Sequence, residues 1–544
     1  MGIQAGNRRA RPAPHGSPPL PHPHRVVIGA GLLVGLAGNM VLRSPAGPGL
    51  GMLLFFVALA VAIAAACRGF GRLPSGEAWS WIGAGILLSS VFVFRASHAL
   101  QTFAFIAASA AFAFPALRAG APWMRGSGVV DHLEAAAGAA GYAGLGAFRL
   151  GAVARTLHVG PGGVPPATSP TAGTWPSDVQ GPRPAVLPAV LRGLLLSAPL
   201  LFVFGALFVS ADRAFAVLVS GLLGTALDEW ASHVVVTCVV AWLATGYLTG
   251  FLTGTRVRDI VEVRFRRPSL GMVEIGIPLG LVSALFAAFV AVQFRYLFGG
   301  AGLVEVTTGL TYAEYAREGF GQLALASALV IPTLLVSDWL LGRPGPRARA
   351  IFGSMGALQL LLLFLVIVSA FQRVRAYQDA YGLTEPRFYG VAFLGWLTLV
   401  GAWFGVTVLR GRREQFAFPA LLSAFVLVIA LFAVNPDAWI ARANLARSES
   451  ALVSPTPGSP GFDADYLASL SADAVPTLLD ALPHLPSDAQ CRLAAHLLER
   501  WGNGAASDWR SWNLATARAR GRVRAEGSEL QRRIGMGGAC ARTP

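Results

Sequence analysis

Lysine is absent from the chain: all 43 of its basic residues are arginines. This absence excludes sites that need a lysine amine, namely the P-loop, the protein-kinase site and Schiff-base catalysis. The arginine guanidinium stays protonated at physiological pH, so these side chains can hold anions but do not serve as general bases.

Charged residues of either sign are also scarce. They make up 13% of the 544 residues, whereas hydrophobic residues make up 54%; soluble proteins carry about 25% charged residues. The apolar residues form blocks close to the roughly 17–25 residues with which a helix crosses a bilayer. Helices are expected because the hydrocarbon core offers backbone N–H and C=O groups no other partner. The composition therefore predicts an all-α polytopic transmembrane bundle.

Eleven apolar blocks predict eleven spans. They cover residues 26–42, 50–67, 79–94, 99–117, 194–210, 232–253, 275–294, 319–337, 351–371, 388–409 and 416–434. A further stretch, residues 214–227, would reach only about 21 Å as a helix, short of the ~30 Å hydrocarbon core. We interpret it as an outer interfacial or re-entrant helix; a true span there would reverse the topology of everything that follows.

The arginines of the connecting segments predict the orientation. If the N-terminus is cytoplasmic, the inner loops carry nineteen arginines and the outer loops eight. This distribution follows the positive-inside rule, and the reversed orientation would violate it. An odd number of spans then places the C-terminal tail on the extracytoplasmic side.

These features divide the chain into five parts. Residues 1–25 are a Pro-rich cytoplasmic tail, predicted to be disordered and without a cleavable-signal pattern. Residues 26–118 carry spans 1–4, and residues 119–193 form a cytoplasmic loop. Residues 194–435 carry spans 5–11, and residues 436–544 form an extracytoplasmic helical tail.

Two cytoplasmic segments are predicted to meet the inner membrane surface. Residues 133–157 favour an amphipathic helix lying on that surface, ahead of a Pro/Gly/Ser linker at 159–190. The basic segment from Arg256 to Arg267 favours contact with anionic inner-leaflet lipid, at about 1 kcal/mol per arginine. Nucleic-acid binding is not expected, because the basic patch is short and lies against a membrane.

The tail beyond the last span has the composition of a soluble helical module. Residues 462–486 predict two short helices, with Ser471 as an N-cap. Cys491 and Cys540 both lie in this part, where oxidation is expected, and either a disulfide or two free thiols fit the sequence. No metal or cofactor site is predicted, since the histidines around Cys491 match no zinc spacing.

Tyrosines and arginines concentrate at the outer ends of the spans. Six of the nine tyrosines fall there, although an aromatic belt should occur at both membrane faces. An interfacial belt and an outward-facing polar groove are the two interpretations. On the second, the site comprises Asp212, Arg295, Tyr296, Tyr312, Glu314, Tyr315, Arg317, Arg373, Tyr377, Tyr381 and Asp437.

Helical spacing arranges part of this site. Arg373, Tyr377 and Tyr381 follow each other at four-residue intervals and therefore share one helix face. Gly382 is then suited to cap that helix, and Thr384 to begin the next one.

Ionisable residues are lacking near the middle of every predicted span. Ion- and proton-coupled transporters generally need such groups as relays. This lack makes a transporter less favoured than a binding protein or an enzyme.

Several short stretches resemble a bacterial family of multi-pass membrane proteins known as domain of unknown function 4173. They are "FGALFVSADRAF" (204–215), "AVQFRYLFGG" (291–300), "LTYAEYAREGFGQL" (310–323), "QRVRAYQDAYGLTEPRFY" (372–389), "NPDAWIARANLAR" (435–447), "LASLSADAVPTLL" and "DWRSWNLA". The resemblance covers roughly residues 190–515. It implies a bacterial plasma-membrane protein and names no reaction.

The function expected from these features is that of a structural or regulatory binder. Its outward-facing polar site would hold an envelope lipid or a partner protein. The alternative is an enzyme acting on a lipid-linked envelope substrate, with Asp212 or Glu314 as general base and Arg317 and Arg373 holding a phosphate.

Overall fold

The computed structural model describes residues 22–44, 47–71, 74–117, 129, 132, 136–147, 225–253, 270–308, 320–341, 344–453, 463–502 and 508–536. Within these ranges it describes only the backbone at residues 225–229, 231, 294–308, 376, 379–380 and 448–453. The regular elements of the described residues are helices, and none of these residues forms a strand. The predicted all-α class is confirmed.

A bundle of eleven helices makes up most of the described chain. They are α1 (Pro23–Leu42), α2 (Leu50–Gly69), α3 (Gly76–Ser89), α4 (Val91–Phe94), α5 (His98–Ala113), α6 (Thr225–Thr253), α7 (Met272–Thr308), α8 (Phe320–Leu341), α9 (Pro346–Tyr381), α10 (Glu385–Thr407) and α11 (Ala417–Val434). Nine helical segments of the described residues are long and apolar enough to cross a bilayer. The chain is a multi-pass membrane protein.

These nine segments coincide with nine of the eleven predicted spans. The predicted span 99–117 corresponds to α5, an apolar helix of 16 residues that continues as a 3-10 turn over Phe114–Leu117. The predicted span 194–210 lies outside the described residues, as does most of the stretch 214–227, since α6 begins at Thr225.

Helix α1 packs against α6 through glycines that face the partner helix. A Cβ atom added at Gly35 would lie 2.5 Å from the carbonyl oxygen of Thr237, and one at Gly38 would lie 2.7 Å from Val240 Cγ1. Such close approach is typical of helix pairs in lipid, where packing replaces the hydrophobic driving force between spans.

A second core joins α7, α8, α9 and α10. Phe352 of α9 and Phe404 of α10 are its largest fully buried side chains. Because α9 contacts α7, α8 and α10, it is the central helix of this half of the bundle.

Two of the bundle helices are longer than their predicted spans. Helix α7 continues to Thr308, where the prediction placed a loop after residue 294, and no proline interrupts this part of the sequence. Helix α9 runs to Tyr381 and ends as predicted at Gly382, whose φ of +85° lies in the left-handed region that glycine tolerates. Thr384 stands at the N-cap position of α10, but its hydroxyl makes no capping bond.

The helix predicted within residues 133–157 is present at residues 136–147, packed against α6. The Trp242 indole N–H donates to the Gly144 carbonyl at 2.9 Å, and Tyr142 is buried over Gly250. These residues face another helix, so the described part of the segment packs on the bundle. The prediction had placed it on the inner membrane surface.

Six helices after the last span form the C-terminal module. They are α12 (Pro436–Val453), α13 (Ala464–Ser469), α14 (Val475–Ala481), α15 (Ser487–Leu497), α16 (Leu514–Ala525) and α17 (Gly527–Met536). Their shared core includes Leu478, Leu493 and Val523, each at most 1% exposed. The two short helices predicted near residue 471 are therefore α13 and α14.

Ser471 does not cap a helix, contrary to prediction. Helix α14 begins only after Ala474, with a proline in its first turn. The Ser471 hydroxyl instead accepts a hydrogen bond from the Asp473 N–H at 3.3 Å within the preceding turn.

The module is held against one end of the bundle, which we call the module end. The Leu50 N–H donates to the Trp512 carbonyl at 2.9 Å, which joins the start of α2 to the module. The Asn513 amide donates to the carbonyls of Phe92 and Arg95, each at 2.7 Å. The links that precede α2, α5 and α10 therefore share this end with Asn435, where the chain enters the module.

The module also contains a disulfide-bonded cysteine, Cys491. Cys67 and Cys238, in the bundle, are not disulfide-bonded. The remaining cysteine of the sequence, Cys540, lies outside the described residues.

Candidate functional site

Four of the eleven residues predicted for the outer polar site have described side chains: Arg373, Tyr377, Tyr381 and Asp437. Arg295 and Tyr296 lie in α7, where only the backbone is described. The remaining predicted residues lie outside the described part of the chain. They are Asp212, Tyr312, Glu314, Tyr315 and Arg317.

Arg373 faces α7, the helix that also carries Arg295 and Tyr296. Its guanidinium donates to the Gln293 side-chain oxygen at 2.7 Å, and the Ser369 hydroxyl donates to the same oxygen at 3.1 Å. Arg373 is therefore part of the contact between α9 and α7.

Tyr377 and Tyr381 share one face of α9, as their spacing predicts, and they form a stack at the end of the helix. Their ring centres lie 4.7 Å apart with an angle of 22° between the ring planes. The guanidinium of Arg387, from α10, lies 3.5 Å above the Tyr377 ring centre and donates to the Thr384 hydroxyl at 2.6 Å. The cation over the Tyr377 ring is thus Arg387, whereas Arg373, predicted on the same helix face as the two tyrosines, binds Gln293.

Asp437 lies in a different place, between the bundle and the module, where it is 1% exposed. It belongs to α12, whose first turn follows the last span directly. One carboxylate oxygen accepts from the Ser471 N–H at 3.2 Å. The other, Oδ1, has no hydrogen-bond partner among the described residues.

A second buried carboxylate, Asp473, ties the module to the link between α4 and α5. Its Oδ1 lies 3.3 Å from the Arg95 guanidinium, and its Oδ2 accepts from the Ala96 N–H at 2.6 Å. Arg95 also donates to the Phe432 carbonyl at 2.9 Å. Asp473 therefore connects the module to the link between α4 and α5 and, through Arg95, to the end of α11.

A third carboxylate, Glu385, begins α10 beside the same contact. The Tyr466 hydroxyl, from α13, accepts from the Glu385 N–H at 2.8 Å. The Ser97 hydroxyl lies 3.3 Å from the Glu385 carboxylate and 3.0 Å from the Tyr389 hydroxyl. We call this set of three carboxylates with Arg95, Ser97, Tyr389, Tyr466 and Ser471 the acidic junction.

Neighbouring backbone reinforces the acidic junction. The Asn444 amide of α12 accepts from the Leu383 N–H at 2.7 Å and donates to the Leu383 carbonyl at 2.8 Å. A Cβ atom at Gly382 would lie 2.6 Å from the Asn444 side-chain oxygen, so only glycine permits this approach. The link between α9 and α10 is thereby fixed to the module.

Burial dominates the electrostatics of the acidic junction. It raises the pKa of Asp437 to about 6, against the lowering effect of the Ser471 hydrogen bonds, and the charges of Glu385 and Asp473 act in the same upward direction. Burial also raises the pKa of Asp473, partly offset by Ala96 and Arg95. The pKa of the Tyr466 hydroxyl is raised to about 12, again chiefly by burial.

The geometry of the acidic junction fits proton binding better than catalysis. Asp437, Asp473 and Tyr389 are all less than 9% exposed, so no substrate reaches these carboxylates in this conformation. A proton needs no open cleft, and its arrival neutralises a charge that the site solvates poorly.

Sequence reasoning found Asp437 but missed the residues around it. Arg95, Ser97, Asp473 and Tyr466 come from segments far apart in the chain, and nothing in their local spacing connects them. Asp437 itself was predicted as one of the polar residues at the outer ends of the spans.

Comparison with known families corrects the resemblance drawn from short motifs. Residues 30–481 match the family described as Domain of unknown function (DUF4153), so the assignment to domain of unknown function 4173 is wrong. The match includes the spans before residue 190, which that resemblance left out, and ends within the module. Tyr, Arg and Asp at span ends serve interfaces in many polytopic proteins, which makes short motifs of this kind poor markers of one family.

No curated protein and no solved structure matches the chain.

Proposed function

The chain belongs to this family of unknown activity, and we propose from the acidic junction that it is a regulatory membrane protein whose module responds to protonation of this junction. In its protonated form the junction holds the module tightly on the bundle. In its ionised form the hold weakens, and surfaces at the junction become available to a binding partner.

The observation that carries this proposal is the placement of Asp437. Its carboxylate is 1% exposed between two parts of the chain and has one oxygen without a hydrogen-bond partner among the described residues. A buried carboxylate with incomplete hydrogen bonding favours the neutral form.

The charges that act on Asp437 are the carboxylates of Glu385 in α10 and Asp473 in the module. The basic groups of the neighbouring segments are engaged elsewhere. Arg95 is bound to Asp473, and Arg387 lies on the Tyr377 ring. The described ion pairs therefore neutralise Asp473 and leave Asp437 without a direct cation.

The sign of the pH effect follows from the direction of the pKa shift. The docked state raises the pKa of Asp437 from 3.8 to about 6, so it binds the proton more tightly than the undocked state does. Docking is therefore strongest below about pH 4, weakens as the pH rises through about 6, and stays weak above it. The difference in pKa corresponds to about 3 kcal/mol, and Asp473 shifts in the same direction.

We further propose that the module end is extracytoplasmic and that the membrane is the bacterial plasma membrane. The excess of arginine in the opposite loops supports this orientation. The disulfide at Cys491 also supports it, because disulfides persist on the oxidising side of the membrane. On this side the acidic junction would experience the pH of the cell envelope.

We expect the exposed surface of the module to bind an envelope lipid or a partner protein. For the segment Arg256–Arg267 we still propose contact with anionic inner-leaflet lipid. The enzyme alternative relied on Asp212 and Glu314, which lie outside the described residues. No contact among the described residues favours it, so regulation is the function we propose.

A distance measurement across the acidic junction tests the proposal. Spin labels at His98 of α5 and Ala517 of α16, both exposed, report the position of the module on the bundle. The full chain is reconstituted in lipid nanodiscs with Cys67 and Cys238 replaced by alanine and the disulfide intact. We expect one narrow distance distribution at pH 5 and a broader or longer one at pH 8.

Two variants separate the role of Asp437 from general effects of pH. Asp437→Asn mimics the protonated acid and should keep the distribution narrow at pH 8. Glu499→Gln, at an exposed position of the module, should behave as the unmodified chain does. Distributions that are identical at the two pH values in the unmodified chain would refute the proposed function.

A further inference from the structure

Helices α7 and α9 run parallel and in register through the membrane. The Ser283 hydroxyl donates to the Gln359 side-chain oxygen at 2.7 Å, and Ser369 meets Gln293 ten residues further along both helices. The two pairs have the same sequence separation of 76 residues, which only a parallel arrangement maintains. Ten residues correspond to about 15 Å of helix.

A cleft lies between the two helices near their module ends. Its volume is about 230 Å³, and it is lined by Val290, Gln293, Leu365, Val366, Val368, Ser369 and Gln372. This volume is smaller than the roughly 300–1,000 Å³ of sites that enclose a whole small molecule. The cleft is therefore sized for part of a longer ligand.

The rim of the cleft faces the surroundings of the bundle. Val292 of α7 is 50% exposed and Val368 of α9 is 51% exposed. Both residues belong to helical segments that are long and apolar enough to cross the bilayer. The medium that covers this rim is therefore lipid. An acyl chain is the ligand part that this environment supplies.

The polar residues of the cleft lie together at its module end. Gln372 lines the cleft there and is exposed, and the Arg373 guanidinium donates at 2.7 Å to the side-chain oxygen of Gln293, which also lines it. The apolar segment of α9 ends at Arg375, so this position corresponds to the level of lipid head groups. Arginine binds phosphate with paired, charge-assisted hydrogen bonds, for which lysine is a poorer substitute.

We propose that the α7–α9 cleft binds one anionic phospholipid, with part of an acyl chain between the helices and the phosphate at Arg373 and Gln372. The two halves of the cleft then match the two halves of the lipid. This binding site is independent of the acidic junction and of the proposed response to pH.

Native mass spectrometry of the full chain tests the proposal. The protein is exchanged into detergent and titrated with phosphatidylglycerol or with phosphatidylcholine of the same acyl chains. We expect the first phosphatidylglycerol to bind at least tenfold more tightly than phosphatidylcholine. Inorganic phosphate and glycerol phosphate, which lack the acyl chains, should not displace it.

Two variants test the two halves of the cleft separately. Arg373→Gln should reduce the affinity for phosphatidylglycerol about tenfold, to the level of phosphatidylcholine, whereas Arg373→Lys should retain part of the preference. Val368→Phe should fill the apolar part and reduce the binding of both lipids. Because Val368 is half exposed, the larger side chain can be accommodated without loss of the fold.

The control variants lie on the same helix and keep the same chemistry. Arg375→Gln removes an exposed guanidinium two residues from Arg373, and Leu361→Phe enlarges an exposed side chain that does not line the cleft. Both should bind phosphatidylglycerol as the unmodified chain does. Equal affinity for the two lipids, or equal losses for Arg373→Gln and Arg375→Gln, would overturn the proposal.

Discussion

Two interfaces of this chain bury side chains by opposite means. Where α1 meets α6, most of the contact is glycine backbone against small and apolar residues, with the polar pairs Asn39–His233 and Arg43–Ser232 at the module end. Along the glycines the helices approach so closely that a single added Cβ atom would clash. Where the module meets the bundle the contact consists of carboxylates, an arginine, tyrosines and side-chain amides.

The difference follows from the surroundings of each interface. Inside the bilayer, apolar surface gains nothing by leaving lipid, so close van der Waals packing selects the helix partner. At the membrane boundary, water competes for every polar group, and buried hydrogen bonds must be complete to be favourable. A shape-based interface responds to volume, whereas a charge-based interface responds to protons.

The largest expected effect comes from adding volume to the first interface. Gly35→Leu places a side chain where an added Cβ would lie 2.5 Å from the Thr237 carbonyl oxygen. Because the backbone must move to admit this side chain, we expect the free energy of unfolding to fall by more than about 3 kcal/mol. Thermal unfolding and size-exclusion chromatography of the purified protein measure the effect.

The same substitution at Gly29 is the matched control. Gly29 lies on α1, and a Cβ atom there would meet nothing within 4 Å. Gly29→Leu should leave the unfolding temperature unchanged or slightly raised. Equal destabilisation by the two variants would show that the contact of α1 with α6 is not what makes leucine intolerable.

A smaller loss is expected from breaking the charge pair of the second interface. Asp473→Ala removes the partner of Arg95 and the acceptor of the Ala96 N–H. The free energy of unfolding should fall by about 2–3 kcal/mol. This is less than for a fully buried pair, because the Arg95 side chain is 21% exposed. Urea unfolding followed by tryptophan fluorescence measures it.

An exposed ion pair of the module provides the comparison for Asp473. The Asp480 side chain is 65% exposed and lies 2.7 Å from the Arg522 guanidinium. Asp480→Ala should cost less than about 1 kcal/mol. If the two alanine variants were equally stable, burial would not distinguish the acidic junction from an ordinary surface pair.

The smallest expected effect concerns the amide that fixes the link between α9 and α10. Asn444→Ala removes two hydrogen bonds to Leu383 and should cost about 1–2 kcal/mol in the same urea experiment. Gln531→Ala, at an exposed amide of α17, should be neutral. No measurable loss at Asn444 would mean that solvent replaces both bonds without cost.

Sequence alone predicted the parts of this structure that depend on local composition. Apolar blocks identified nine spans, and the four-residue spacing of Tyr377 and Tyr381 placed the two rings on one helix face, where the structure shows them stacked. The end of α9 at Gly382 followed from the conformational freedom of glycine.

The parts that sequence did not predict depend on contacts between distant segments. Asp473 lies 378 residues from Arg95, and Tyr389 lies 292 residues from Ser97. Helical periodicity carries no information about such pairs. The same limit applies to Arg387, which lies over the Tyr377 ring because α10 turns back beside α9.

Infrared titration of the Asp437 carboxyl group tests the central claim most directly. The C=O band of the protonated acid is isolated by subtracting the spectrum of Asp437→Asn, and its intensity is followed between pH 3 and pH 9. A carboxyl group buried in the acidic junction should titrate with a midpoint near pH 6. A midpoint near pH 4, the ordinary value for an aspartate in water, would contradict the account.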